Sequence, residues 1–108
     1  MKRGDIVTVA IQGDYGKPHP AVVIQSNWLS DTDSVLVCLL TSTLRDAPFY
    51  RLTVEPMPEN GLQVASQIMV DKIMAVRRDK CSTVIGRLDD ITALALNRLL
   101  ALVIGLAD

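Results

Sequence analysis

Turn residues cut the first two-thirds of this chain into short apolar runs, and that punctuation leaves room for little but a small β-fold. The runs go from Asp5 to Ile11, Ala21 to Ser26, Val35 to Thr41, Tyr50 to Val54 and Ile68 to Val76, with a shorter one from Thr83 to Gly86. They alternate apolar with polar residues or stay apolar throughout, as half-buried and fully buried strands do. Between them lie Gln12 to Pro18, Asn27 to Ser34, Thr43 to Phe49 and Glu55 to Gly61, where Gly, Pro, Asn, Asp and Ser let the backbone reverse. The pattern changes after Asp89-Asp90. These carboxylates predict an N-cap and complement a helix dipole, and the stretch from Ile91 to Leu106 predicts one long helix with Gly105 near its end. Short strands followed by a single helix predict a mostly β fold, a small twisted barrel or half-barrel.

A chain of 108 residues is expected to form one domain, 1–108, with little stability to spare, so a large shared interface is expected too. The C-terminal stretch is apolar around most of its circumference. It is interrupted by Asn97-Arg98 and is shorter than the roughly 20 residues a membrane span needs, so no membrane is expected. Such a helix in a soluble chain is buried on more than one side, here on its own sheet and on a second subunit. The basic start Met1-Lys2-Arg3 is not followed by an apolar run of signal-peptide length, and Cys38 and Cys81 have neither metal-ligand spacing nor disulfide-scaffold density. Both point to a reducing, cytoplasmic setting. The formal net charge is -1, which excludes a general nucleic-acid coat and makes any nucleic-acid contact a local one.

Local chemistry concentrates in Gly16-Lys17-Pro18-His19-Pro20-Ala21-Val22-Val23-Ile24, a basic loop feeding an apolar strand, and in Leu39-Leu40-Thr41-Ser42, the end of the next strand. Together with the opening Lys2-Arg3-Gly4-Asp5, these segments resemble the MazF/PemK (Kid-like) toxin family over the whole length of the chain. The resemblance implies an SH3-like barrel with a long C-terminal helix and a homodimer. It further implies a metal-independent, sequence-specific endoribonuclease acting on single-stranded mRNA, and a cognate antitoxin whose disordered acidic tail blocks the RNA site. Where the family usually shows Arg-Pro, this chain has His19-Pro20.

Cleavage of RNA without a metal needs a base for the ribose 2′-hydroxyl, an acid for the leaving 5′-oxygen and donors that neutralise the phosphorane. The resemblance makes His19 and Thr41 the catalytic positions, with Ser42 beside the threonine. An arginine would hold phosphate with a planar, permanently charged fork, and histidine does not replace that, although an imidazole can move protons near neutral pH. Three readings of His19 stay open: a catalytic position changed to silence a toxin for production, natural variation with lost or altered activity, or a working acid/base. Thr41 also fits an ordinary strand end whose hydroxyl bonds nearby backbone. Asp71 matches an acidic residue that many members carry after their fifth strand, where it could accept from a base edge or orient a phosphate-binding side chain, or simply face water. Two residues earlier, where some members have a second arginine, stands Met69.

Tyr15, Gly16 and Lys17 offer a stacking and electrostatic platform for a single strand. Arg45 and Arg51 are weaker candidates, and Arg45 could pair with Asp46 on the surface. Arg77-Arg78-Asp79-Lys80 reads as a solvated turn, with antitoxin or RNA contact as the alternative, and Trp28 as either an exposed anchor or a ring folded onto the barrel rim. With a single histidine, no Walker-type loop and no metal-spaced ligands, no cofactor is expected. The alternatives are a CcdB-like toxin of the same fold that poisons a protein, or a catalytically inactive binding module.

Overall fold

The computed structural model describes residues 1–11, 13 and 17–108. Six strands, β1 (Asp5–Ala10), β2 (Pro18–Val23), β3 (Ser34–Thr41), β4 (Arg51–Val54), β5 (Ser66–Arg77) and β6 (Cys81–Arg87), precede one helix, α1 (Asp90–Val103). They form a single antiparallel sheet in the order β4-β5-β3-β2-β1-β6. This is the mostly β architecture with a C-terminal helix that the sequence predicts.

Both faces of the sheet are covered. On one, Ile6, Val22, Cys38, Leu40, Val54, Ile68 and Val70 pack with Leu88 and with Leu96 and Leu100 of α1. On the other, Val7, Val9, Ala21, Val23, Val35, Val37 and Val76 form a second cluster. Consecutive residues such as Ile6 and Val7, or Val22 and Val23, thus feed different clusters, as the pleat requires. Continuous apolar runs at the centre of the chain follow directly from that double burial.

The two edges of the sheet approach each other through the loop after β4. Arg87 N–H donates to Glu59 O at 2.8 Å. A Cβ placed on Gly86 would sit 2.3 Å from the Asn60 carbonyl carbon, so only glycine admits this contact. The loop is held rigid by the buried Asn60, whose Oδ1 accepts from Met57 and Leu62 N–H and whose Nδ2 donates to Glu55 O.

Helix α1 begins and ends as its sequence predicts. The Asp89 carboxylate accepts from Thr92 N–H at 2.7 Å. At the other end Gly105, at φ +82°, lets Leu106 N–H reach Ala101 O and its own N–H reach Leu102 O, a Schellman closure. Asn97, which interrupts the apolar stretch, accepts from Arg3 Nη1 at 2.6 Å and ties the helix to the start of β1. Leu96 and Leu100 face the sheet, whereas Ile91, Leu94, Leu102, Ile104 and Leu106 are exposed. No helix among the described residues is long and apolar enough to cross a membrane.

Two expectations are corrected. The segment Pro18-His19-Pro20 is strand, not loop: it pairs with Ala10, Val9 and Thr8 of β1. Proline is tolerated there because pairing with β3 begins only at Ala21, so at Pro18 to Pro20 one side of β2 has no ladder to lose. The 78–80 turn is not merely solvated either. Arg77 does pair with Asp79 on the surface, but Arg78 turns inward and donates to Thr32 O and, at 3.2 Å, to Leu29 O. With the buried Gln25, it fixes the loop that presents Trp28 at 93% exposure. Trp28 is thus exposed and does not fold onto the rim.

Candidate functional site

The register of the sheet assembles the site. β2 and β3 pair from Ala21↔Leu39 inward. The ladder stops there, and by alternation from Ala21 and Leu39 the side chains of His19 and Thr41 lie on the same face of the sheet, just beyond its end. On either side, His19 is the partner of Val9, and Thr41 is the partner of Gln67, which in turn faces Thr53. Two sets of cross-strand partners, Val9 with His19 and Thr41 with Gln67 and Thr53, therefore share that face.

Each member is placed by local chemistry. Pro18 and Pro20 restrict φ on both sides of His19 and hold its backbone extended. His19 is half-buried, as is Thr41. The Thr41 hydroxyl oxygen accepts from Thr43 N–H at 3.1 Å, which orients it while leaving its own proton to donate. The backbone contact expected of an ordinary strand-end threonine is thus present, and it is compatible with donation to a substrate oxygen. Ser42 follows directly and is exposed.

Gln67 is the residue the sequence reading missed. It is buried, and its amide grips the backbone of Arg45 in both directions: Oε1 accepts from Arg45 N–H at 3.0 Å and Nε2 donates to Arg45 O at 3.0 Å. A further bond from Nε2 reaches Thr53 Oγ1 at 3.2 Å. The loop that leaves Thr41 is thereby fixed over the strand beside it, with Ser42, Arg45 and Phe49 exposed along it. Among the described residues the one ion pair is Arg77–Asp79, so the possible surface pairing of Arg45 with Asp46 is not made. A polar residue at an inward position of an otherwise apolar strand was the available signal.

Asp71 does not join these partners. Between Cys38↔Ile73 and Leu40↔Ile68 the register slips, so that Leu39 alone spans Met69, Val70, Asp71 and Lys72. This wide bulge leaves Asp71 exposed on a bend of β5. Its charge is felt at Cys38, whose thiol is pushed up to about 11 by burial first and by the Asp71 carboxylate second. Cys38 is thus an inert, protonated core thiol. Lys17 is exposed just before β2, two residues from His19, whereas Tyr15 and Gly16 lie outside the described residues. Among the described residues no group of three His, Cys, Asp or Glu is placed to hold a metal ion.

Residues 2–104 match the profile of the family described as PemK-like, MazF-like toxin of type II toxin-antitoxin system. Over 108 residues, covering 99% of each chain, the sequence is 39% identical to a protein of Mycolicibacterium smegmatis named probable endoribonuclease MazF. In structure it is similar to a mycobacterial endoribonuclease solved with its cognate antitoxin, at a TM-score of 0.83 and 21% identity, covering 98% of this chain and 96% of that one. It is also similar to MazF of Deinococcus radiodurans, at a TM-score of 0.77 and 17% identity, covering 97% and 96% of the two chains.

Proposed function

The chain belongs to the PemK-like, MazF-like toxin family of type II toxin-antitoxin systems, and from that premise we propose that it is an endoribonuclease that cuts single-stranded mRNA on the face shared by His19 and Thr41. What supports this reading is that His19 and Thr41 lie on one face of the sheet, just past the end of the β2–β3 ladder. A general base and a hydroxyl donor on one sheet face, beside exposed backbone and the cationic Lys17, form a surface that a single strand can cross.

In the step proposed, His19 takes the proton of a ribose 2′-hydroxyl as that oxygen attacks the adjacent phosphorus. The bond from 2′-oxygen to phosphorus forms and the bond from phosphorus to the 5′-oxygen breaks. The leaving oxygen takes a proton from water and His19 returns its proton to the hydroxide left behind, so the products are a 2′,3′-cyclic phosphate and a 5′-hydroxyl. Thr41 donates to a non-bridging oxygen, where negative charge grows in the transition state. No water is consumed and no redox change occurs, so the chemistry closes without a cofactor. Ser42, Lys17, Tyr15 and Gly16 are assigned to the RNA path on either side, and Asp71 to a contact further along it.

A second copy of the chain is the occupant we assign to the exposed apolar side of α1, where Ile91 and Leu106 are 83% and 74% exposed. An antitoxin with a disordered acidic segment is the second partner, ordering on the basic groups of the RNA path when it binds.

The test is cleavage of a long single-stranded RNA by the protein and by its His19→Arg and His19→Ala variants. Cleavage by the unaltered protein and its loss in His19→Ala supports a working histidine. Cleavage by the arginine variant alone would make His19 a disabling change within the same site. Intact RNA with all three proteins would overturn the ribonuclease reading in favour of a CcdB-like toxin or a binding module.

A further inference from the structure

One buried cation on the site's face carries a donor with no hydrogen-bond partner. Arg51 opens β4 and is only 8% exposed, yet its Nε is buried without a hydrogen-bond partner. Among the described residues no carboxylate or carbonyl is bonded to its guanidinium. The other buried polar side chains behave differently, since Gln25, Asn60 and Gln67 each make several bonds. An unpaired buried donor destabilises a fold, so a persistent one calls for a ligand that is absent from the isolated chain.

Position says which ligand. Arg51 is the cross-strand partner of Met69, one row from the pair Thr53↔Gln67. Alternate residues of a strand share a face, so Arg51 lies on the same face as Thr53, Gln67, Thr41 and His19. β4 and β3 are two strand spacings apart, about 10 Å. An arginine reaching from β4 and a phosphate hydrogen-bonded to Thr41 on β3 together span that gap.

We propose that Arg51 is the phosphate-binding residue of this site, its guanidinium holding the non-bridging oxygens of the scissile phosphate while Thr41 donates from the other side. The assignment rests on the ribonuclease reading above and completes it. An imidazole at position 19 supplies no charge that is independent of pH, whereas a guanidinium does, and its fork matches two phosphate oxygens at once. The charge comes from β4, three strands away from His19 in the sheet order. Proton transfer and charge neutralisation are thereby divided between two side chains.

The experiment compares the full chain with Arg51→Met and Arg51→Lys in three readouts: thermal unfolding, single-turnover cleavage of single-stranded RNA, and anisotropy with a short 2′-O-methylated RNA of randomised sequence that cannot be cut. The expected result is an unfolding midpoint for Arg51→Met at or above that of the parent, with cleavage slowed by about 10²-fold or more and binding weakened by about tenfold or more. Arg51→Lys is expected to fall between the two. A folded Arg51→Met variant that cuts and binds like the parent overturns the proposal. If the parent cuts no RNA, the ribonuclease reading is decided separately by the His19 variants, and the anisotropy decides for Arg51: weakened binding supports a phosphate contact and unchanged binding overturns it. If Arg51→Met does not fold, the ¹⁵Nε resonance of Arg51 in the parent, assigned by its loss in Arg51→Lys, takes over. Its displacement on adding the 2′-O-methylated RNA supports the proposal, and a fixed resonance at saturation overturns it.

Discussion

Gln67 and Arg51 sit on adjacent strands, on one face of the sheet, and both are buried, yet they are opposites. Every polar group of the Gln67 amide is engaged, and its bonds to Arg45 N–H, Arg45 O and Thr53 Oγ1 close a loop onto the sheet. Arg51 has a buried Nε with nothing to donate to. Satisfied polar groups in this molecule hold loops in place: Asn60 does so after β4, and Gln25 with Arg78 does so around Trp28. The one unsatisfied among the described residues, Arg51, lies on the same face as His19 and Thr41, on the edge strand β4. Hydrogen-bond saturation therefore separates residues that build the site from residues that have a partner still to come.

The largest expected effect bears on the chemistry proposed for His19. His19→Ala should slow RNA cleavage by about 10²–10⁴-fold with little change in the unfolding midpoint; equal losses of rate and of folded protein would move His19 into the structural class. Next in size is Gln67→Leu, which leaves both Arg45 backbone groups without their partner and should destabilise by about 1–3 kcal/mol in denaturant titration. Its cleavage should fall with the disorder of the 43–49 loop and recover in Gln67→Glu less than in the parent. A Gln67→Leu variant of full stability would erase the distinction drawn above.

Smaller effects follow from the titrating groups. The Cys38 thiol has a folded pKa above its unfolded value of 9.0, raised by burial to about 11. Its contribution is fully present below pH 9 and is lost as pH rises toward 11, so stability should fall across that window, and Cys38→Ala should flatten the slope. The thiol should also resist alkylation at neutral pH until the chain unfolds, while Cys81 on β6 reacts first. The smallest effect is at Asp89. Its bond from Thr92 N–H lowers its pKa below 3.8, so the cap is present above that value and is lost as pH falls through the lower folded pKa. Helix circular dichroism near the acid limit should show it, and Asp89→Asn should keep the cap while removing its pH dependence.

Much of the fold was legible because burial leaves a mark on sequence. Strands β1, β3 and β5 and the helix with its Asp89 cap and Gly105 closure could be read from apolar periodicity and end signals. The boundary of β2 could not: prolines mark loops in general, and only the late start of the β2–β3 ladder makes Pro18 to Pro20 acceptable in a strand. His19 and Thr41 were singled out through a resemblance, and Lys17 as a cation beside an aromatic residue, none of them through periodicity. Gln67 and the displaced position of Asp71 were not, because one depends on a bond to Arg45 across 22 residues of chain and the other on a slip of register inside β5. Arg51 was visible as a cation in a strand, but its lack of a partner is a property of packing alone.

The most direct test of the account is the chemistry of the cut ends. Single-stranded RNA is incubated in EDTA with the parent and with Thr41→Val, which keeps the shape of the side chain and removes the donor. The account requires fragments ending in a 2′,3′-cyclic phosphate and a 5′-hydroxyl from the parent, and a rate lower by about 10²-fold from the variant. A 5′-phosphate on the fragments, cleavage only when metal is restored, or a Thr41→Val variant as fast as the parent would contradict it.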